Sequence, residues 1–294
     1  MKKGYGTCPA TCGELVQGYS NKIECISSYC IDIFSRAIVT EGHGMTDRTM
    51  RGKRKSVEAI ARVLDYLEID LSYMDRLSLS IRSDIPTGKG MASSTAYIGA
   101  SVMAILDFIG YEMEPELISK LVARVEPTDS IYNKNICIFD PIEGQVVRKL
   151  GNLSVKKVFI LEPSNKINTV KLRGRQEYYK CLSENRDLTS QAFTKLEFGI
   201  KNDDMQSIRQ ACEISALANE NIKKTPYLRK LIELASLCNY SFLNISHTGT
   251  SIGIGINDKT DIDRLAYEIK NSEISKVYKK QYLRKIIDGG LRRR

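Results

Sequence analysis

Tryptophan is absent from this chain of 294 residues, and histidine occurs only twice. Two imidazoles cannot furnish a histidine-rich metal centre. The eight cysteines, at positions 8, 12, 25, 30, 137, 181, 212 and 238, include no CxxC pair and no histidine partner at zinc-finger spacing. A structural zinc site therefore lacks its ligand set. No apolar run approaches the ~20 residues that a membrane span needs. The opening "MKKGYGTCPA" carries two lysines with no apolar stretch behind them, unlike an export signal. The chain reads as a globular protein of the cytoplasm with reduced thiols and no membrane partner.

What is present is enough apolar residue, 42%, to fill one large core or two ordinary ones. The net charge is +9, and part of the excess is local: "RTMRGKRK" holds Arg48, Arg51, Lys53, Arg54 and Lys55, and Arg292 to Arg294 form a second cluster. Such runs are usually solvated faces, though the first can also lend charge to an anionic ligand. A dedicated RNA-binding module would carry stacking aromatics, and no such motif occurs here. Nucleic acid is therefore not the expected partner.

The hydrophobic pattern gives the organisation. "IECISSY" and "DIFSRAIVTE" read as strands, "KSVEAIARVLDYLEI" as an amphipathic helix, and "LSLSI" as a half-buried strand. "STAYIGASVMAILDFIG" is apolar almost throughout, as suits a helix buried on most sides. "PELISKLVARV" reads as a further helix and "ICIFDPIEGQVV" as a hairpin turning near Glu143 and Gly144. Beyond Gly151 come the strand "KKVFILEP", three helical segments, paired strands "SFLNIS" and "SIGIGIN", a helix "DIDRLAYEI" and a returning strand in "SKVYKKQYL". The expected fold class is α+β, with an N-terminal domain over 1–152 and a C-terminal one over 153–294.

Between "LSLSI" and the buried helix lies "DIPTGKGMASSTA", Asp84 to Ala96. A loop that leaves a strand and opens a helix presents unpaired N–H groups at the positive end of the helix dipole, which favours an anion. Gly88 and Gly90 let the backbone approach closely, and Ser93, Ser94 and Thr95 offer hydroxyls to phosphate or magnesium. Ser83 stands where a Walker A loop needs its first glycine, so this is a different phosphate loop. Taken alone, it also fits a tight turn whose serines cap the next helix. Two further stretches add small residues and hydroxyls: "CPATCGELVQG", with the single carboxylate Glu14, and "NISHTGTSIGIG", with a turn at Gly249.

Together the three stretches resemble the motifs of the GHMP kinase superfamily. "PTGKGMASSTA" is similar to its phosphate loop, with Met91, Ala92 and Thr95 as departures, and "SHTGTSIGIG" occupies the place of its C-terminal glycine-rich motif. The order of "CPATCGELVQG", "EPTDS" and "SHTGTSIG" most resembles the L-threonine kinase branch that serves cobalamin synthesis. The resemblance implies an N-terminal domain like domain 2 of ribosomal protein S5 and a ferredoxin-like C-terminal domain. It also implies ATP with Mg²⁺ as cofactors, and γ-phosphoryl transfer to the hydroxyl of L-threonine. L-Serine, L-homoserine or mevalonate are the alternative acceptors, and an RNA-binding protein with an S5-like fold is the reading from another class.

Carried onto this chain, the resemblance puts Pro86, Thr87, Gly88, Lys89, Gly90, Met91, Ala92, Ser93, Ser94 and Thr95 around the triphosphate. It makes Ser94 and Glu126 the magnesium ligands and Asp129 the catalytic base. Thr11, Cys12, Gly13, Glu14, His247, Thr248, Gly249 and Thr250 would line the substrate site, with Glu14 on its ammonium. Plainer readings stand beside these. Asp129 can be a helix cap, Cys12 a small buried residue, and His247 a structural donor.

Overall fold

The computed structural model describes residues 2–293 except 43, 46–52, 166–173, 175, 247 and 248. Strand β1 (Lys3–Ser20) runs antiparallel to β2 (Ile23–Glu41), and β3 (Leu77–Ser83) lines the outer half of β2. The two strands read from "IECISSY" and "DIFSRAIVTE" are thus one. Helix α2 (Ser93–Ile109) lies on this sheet, and α1 (Arg54–Tyr66) and α3 (Pro115–Ala123) pack against α2. The hairpin of β4 (Ile136–Asp140) and β5 (Gln145–Gly151) extends the sheet beyond β2.

Helix α2 is the centre of this half. Its Ile98, Val102, Ile105, Leu106 and Phe108 are all buried, each contributing about 1.5–3 kcal/mol by leaving water. Gly4 and Gly6 of β1 make that burial possible, because a Cβ on either would strike the carbonyls of Ala104 and Ala100 on α2.

The second half contributes β6 (Lys157–Glu162), α4 (Gln176–Glu184), α5 (Arg186–Asn202), α6 (Met205–Ala218), α7 (Leu228–Leu237), β7 (Leu243–Ile245), β8 (Ile252–Ile256), α8 (Ile262–Lys270), α9 (Ile274–Val277) and β9 (Lys280–Ile287). The segment from Arg175 to Ile200, expected as one helix, is broken at Asn185, whose side-chain amide donates to the Ala218 carbonyl (2.8 Å). In the tail, Ile274–Val277 is helical, and the returning strand begins only at Lys280.

The strands form one sheet whose pairings close on themselves. The circuit runs β1–β7–β8–β6–β9–β2 and back to β1. Two joints in it are short: Glu14 with Ile245 between β1 and β7, and Cys30 and Ile31 with Ile287 and Ile286 between β2 and β9. Inside the circuit, Tyr29 donates to Asn244 Oδ1 (2.9 Å), Asn244 Nδ2 donates to the Cys12 carbonyl (2.6 Å), and the Tyr29 ring meets Phe242 edge-on. These hydrogen bonds answer the buried polar groups of Tyr29 and Asn244.

Strand β1 serves both halves. Its first part lies on α2, and its second part lies on α5 and α6, where Gln17 N donates to Ser215 Oγ (3.0 Å). Between the two, its register against β2 shifts at Pro9/Ala10, Thr11/Glu14 and Glu14/Val16. Such irregularities twist a strand and re-aim its side chains.

Candidate phosphate-binding and acceptor site

The loop from β3 to α2 turns on residues 88, 90 and 92, with φ of +74°, +76° and +54°, while Lys89 and Met91 between them keep negative φ. That alternation gathers successive N–H groups on one side, as in the backbone nests that hold anions. Helix α2 then opens at Ser93 with no side chain capping it and no acidic residue in its first turn. Its first N–H groups stay available to an anion. Ala92 adopts a left-handed conformation that costs a residue with a Cβ about 1–2 kcal/mol.

Ser94 and Glu126 are brought together: the Ser94 hydroxyl donates to one oxygen of the Glu126 carboxylate, and Lys55 pairs with the other. One hydroxyl and one carboxylate beside a phosphate loop match the hard-oxygen set of Mg²⁺, which takes one or two carboxylates and fills its shell with phosphate oxygens and water. Of the basic cluster, Lys55 therefore serves Glu126, and Lys53 donates to the Leu79 carbonyl (2.9 Å). Arg48 and Arg51 lie outside the described residues.

The third motif crosses the back of the phosphate loop. Gly249 and Gly90 meet so closely that a Cβ on either would run into the other's Cα. At this crossing the Lys89 carbonyl accepts from Thr250 N (3.0 Å), Ser251 N (3.1 Å) and Ser246 Oγ (3.1 Å). Lys89 itself is buried, and its ammonium donates to the carbonyls of Pro163 and Asn165 (2.7 Å to the latter). The lysine expected beside the triphosphate thus ties its loop to the exit of β6. Thr250 Oγ1 reaches the same Asn165 carbonyl (3.3 Å). His247 and Thr248 lie outside the described residues.

At the break in β1, Thr11 N donates to the Met91 carbonyl (3.4 Å), linking the first motif to the phosphate loop. The Thr11 hydroxyl donates to the Gly13 carbonyl (2.7 Å), and Gly13 turns with φ of +69°. Burial pushes the Cys12 thiol up to about 12, so it is a packed, protonated side chain rather than a nucleophile. Glu14 stands at the joint, opposite Ser28 on β2 and Ile245 on β7.

Facing Glu14 is Lys223, a residue that no sequence motif singled out. It lies after α6, and its ammonium donates to the carbonyls of Ser246 (3.0 Å) and Gly249. Burial lowers its pKa to about 8, against the opposing pull of Glu14 and Glu220. Lys223, Thr250, Asn165 and Pro163 line one cleft. The only signal in the sequence was the pair "KK" at 223–224, which reads equally as a solvated turn.

Asp129 is 7% exposed and precedes a short 3₁₀ turn over Ser130–Tyr132. Its carboxyl meets the Ser130 hydroxyl (3.5 Å). Burial raises its pKa to about 6, and the neighbouring Ser28 and Ser130 hydroxyls moderate that rise. Its link to the phosphate loop runs through Tyr132, whose hydroxyl donates to the Thr95 carbonyl in the first turn of α2 (2.7 Å).

This arrangement has relatives. Residues 56–138 match the model of the GHMP kinases N terminal domain. The chain is similar to the L-threonine kinase of Salmonella typhimurium, 26% identical over 97% of this chain and 94% of that protein. It is likewise similar to the L-threonine kinase of Citrobacter freundii, 24% identical over 97% of each. Among solved structures, the homoserine kinase of Cytophaga hutchinsonii shares the fold with a TM-score of 0.68 at 16% identity, covering 99% of this chain and 97% of that one. Residues 56–138 thus carry a GHMP kinases N terminal domain, within a chain that shares the fold of the solved homoserine kinase and is similar to two L-threonine kinases from end to end.

Proposed function

We propose that the enzyme transfers the γ-phosphate of ATP to the side-chain hydroxyl of L-threonine, releasing ADP and O-phospho-L-threonine. That product would supply the aminopropanol phosphate linker of the cobalamin nucleotide loop. The observation that carries the phosphotransferase reading is the crossing of Gly90 and Gly249, which fixes a nest of N–H groups at the mouth of α2. The acceptor rests on near full-length similarity to two L-threonine kinases.

Phosphoryl transfer asks a protein for position and charge neutralisation more than for covalent chemistry. The backbone of residues 86–96 holds the triphosphate, and Ser94 and Glu126 hold Mg²⁺. When bound, the ion neutralises charge on the phosphate oxygens. Glu14 receives the ammonium of the amino acid. Asp129, with a pKa near 6, can accept the hydroxyl proton near neutral pH.

ATP turnover with L-threonine, L-serine, L-homoserine and mevalonate tests the reading, with the product's phosphate located by ³¹P NMR. Preference for L-threonine with the phosphate on its hydroxyl supports it. Preference for another of the four keeps the kinase and replaces the acceptor.

A further inference from the structure

Two lysines brace the phosphate loop at the Gly90–Gly249 crossing, and only Lys89 belongs to the phosphate-loop motif. Lys223 is the less expected, because it comes from the helical half and reaches the turn of the third motif. It donates to Ser246 O (3.0 Å) and to Gly249 O. Ser246 and the two residues after Gly249 carry the donors, Ser246 Oγ, Thr250 N and Ser251 N, that all converge on the Lys89 carbonyl. Ser246 Oγ also reaches the Gly90 carbonyl (3.1 Å). The chain of contact is therefore Lys223 to turn, turn to Lys89 carbonyl, and carbonyl to the loop whose N–H groups face the triphosphate.

We infer that Lys223 is a positioning residue for nucleotide binding, which sets the shape of the phosphate loop through the third-motif turn without touching phosphate. A buried ammonium costs several kcal/mol of desolvation unless its donors are satisfied, and the two carbonyls answer part of that cost. Both point back at the turn, so the charge acts on backbone. Once the ammonium is neutral it is a weaker clamp, because hydrogen bonds from a charged donor are about twice as strong. The charged groups around it are Glu14 on β1 and Glu220 in the turn after α6, with Lys89 beyond the crossing. The inference rests on the phosphate loop binding ATP and not on which acceptor is used.

The test measures ATP affinity at equilibrium, without acceptor, for the wild type, Lys223→Met and Lys223→Arg, together with KM for ATP and for acceptor and the melting temperature. Lys223→Met is expected to weaken ATP at least tenfold while KM for the acceptor changes less than threefold. Wild-type affinity should decline above pH 8, and Lys223→Arg, whose charge does not titrate, should bind within threefold of wild type and keep that affinity to pH 9.5. Should Lys223→Met fail to fold, Ser246→Ala, which removes the hydroxyl donor at the same crossing, is expected to weaken ATP three- to tenfold. ATP affinity within twofold of wild type in the folded Met variant, or in the Ala variant if it is needed, overturns the inference. So does a loss confined to acceptor KM, which would place Lys223 on the acceptor. If wild-type chain binds no ATP at all, the phosphate-loop reading fails first, and the two failures are distinguishable.

Discussion

Replacing Asp129 by Asn should make the protein more stable and less active, and the gain in stability should depend on pH. In the folded chain the carboxyl is raised from the ordinary 3.8 to about 6, chiefly by burial. The native state then holds the proton more tightly than the unfolded chain does. Its contribution to stability is fully present below about pH 4, is lost as pH rises through 6, and stays lost above that. A shift of about two units, net of the moderating Ser28 and Ser130 hydroxyls, corresponds to about 3 kcal/mol at neutral pH. Asparagine keeps an acceptor for those hydroxyls and carries no charge to desolvate. Urea midpoints of the two proteins, compared from pH 4 to pH 8, read the difference without assuming two-state unfolding of so long a chain. We expect the Asn variant to lead by about 1–3 kcal/mol at pH 7.5 and to converge on wild type near pH 4. Its kcat should fall by about 10²–10⁴ if Asp129 takes the proton. A variant no more stable than wild type at pH 7.5, or a difference flat with pH, would refute the burial argument.

Two other substitutions probe the loop and the proposed Mg²⁺ site. Glu126→Gln keeps the size but halves the charge-assisted partners of Ser94 and Lys55, so the Mg²⁺ concentration for half-maximal activity should rise about tenfold, roughly the 1.4 kcal/mol of one weakened ligand; an unchanged Mg²⁺ titration removes Glu126 from the metal. Gly249→Ala drives a Cβ into backbone atoms of Gly90 and Lys89, which cannot rotate aside as a side chain would. ATP-dependent stabilisation of the melting temperature should disappear in that variant while the far-ultraviolet circular dichroism stays native, and retention of the stabilisation contradicts the close crossing.

The parts of this site that lie in one short stretch were legible in the sequence. "PTGKGMASSTA" declares its turn by glycine and its helix by the apolar run behind it, and both stand where expected. The β4–β5 hairpin likewise turns at Gly144, which has φ of +67°. Strand β1 was harder, because Pro9 and Gly13 look like strand ends. In the fold they sit at register shifts that an 18-residue strand absorbs. Lys89 was legible as a member of the loop but not in its direction, since burial of an ammonium against Pro163 and Asn165 depends on chain 74 and 76 residues away. Lys223 showed only as half of a "KK" pair. Its partners are carbonyls, and every residue type offers those.

The closed circuit of strands has a consequence for synthesis. Every other strand of the circuit precedes β9 in the chain, and β9 joins β6 to β2. Domains made on a ribosome generally fold as they emerge, the N-terminal one first. Here the first ~150 residues can form their helices and the β1–β2 ribbon, but Cys30 and Ile31 wait for Ile287 and Ile286. Thr7 waits longer still, for the two backbone hydrogen bonds it exchanges with Arg292 (2.7 and 2.9 Å). Completion of the N-terminal half is thus timed by the last strand translated, and a nascent chain stalled before residue 280 should leave that edge of β2 open to a chaperone.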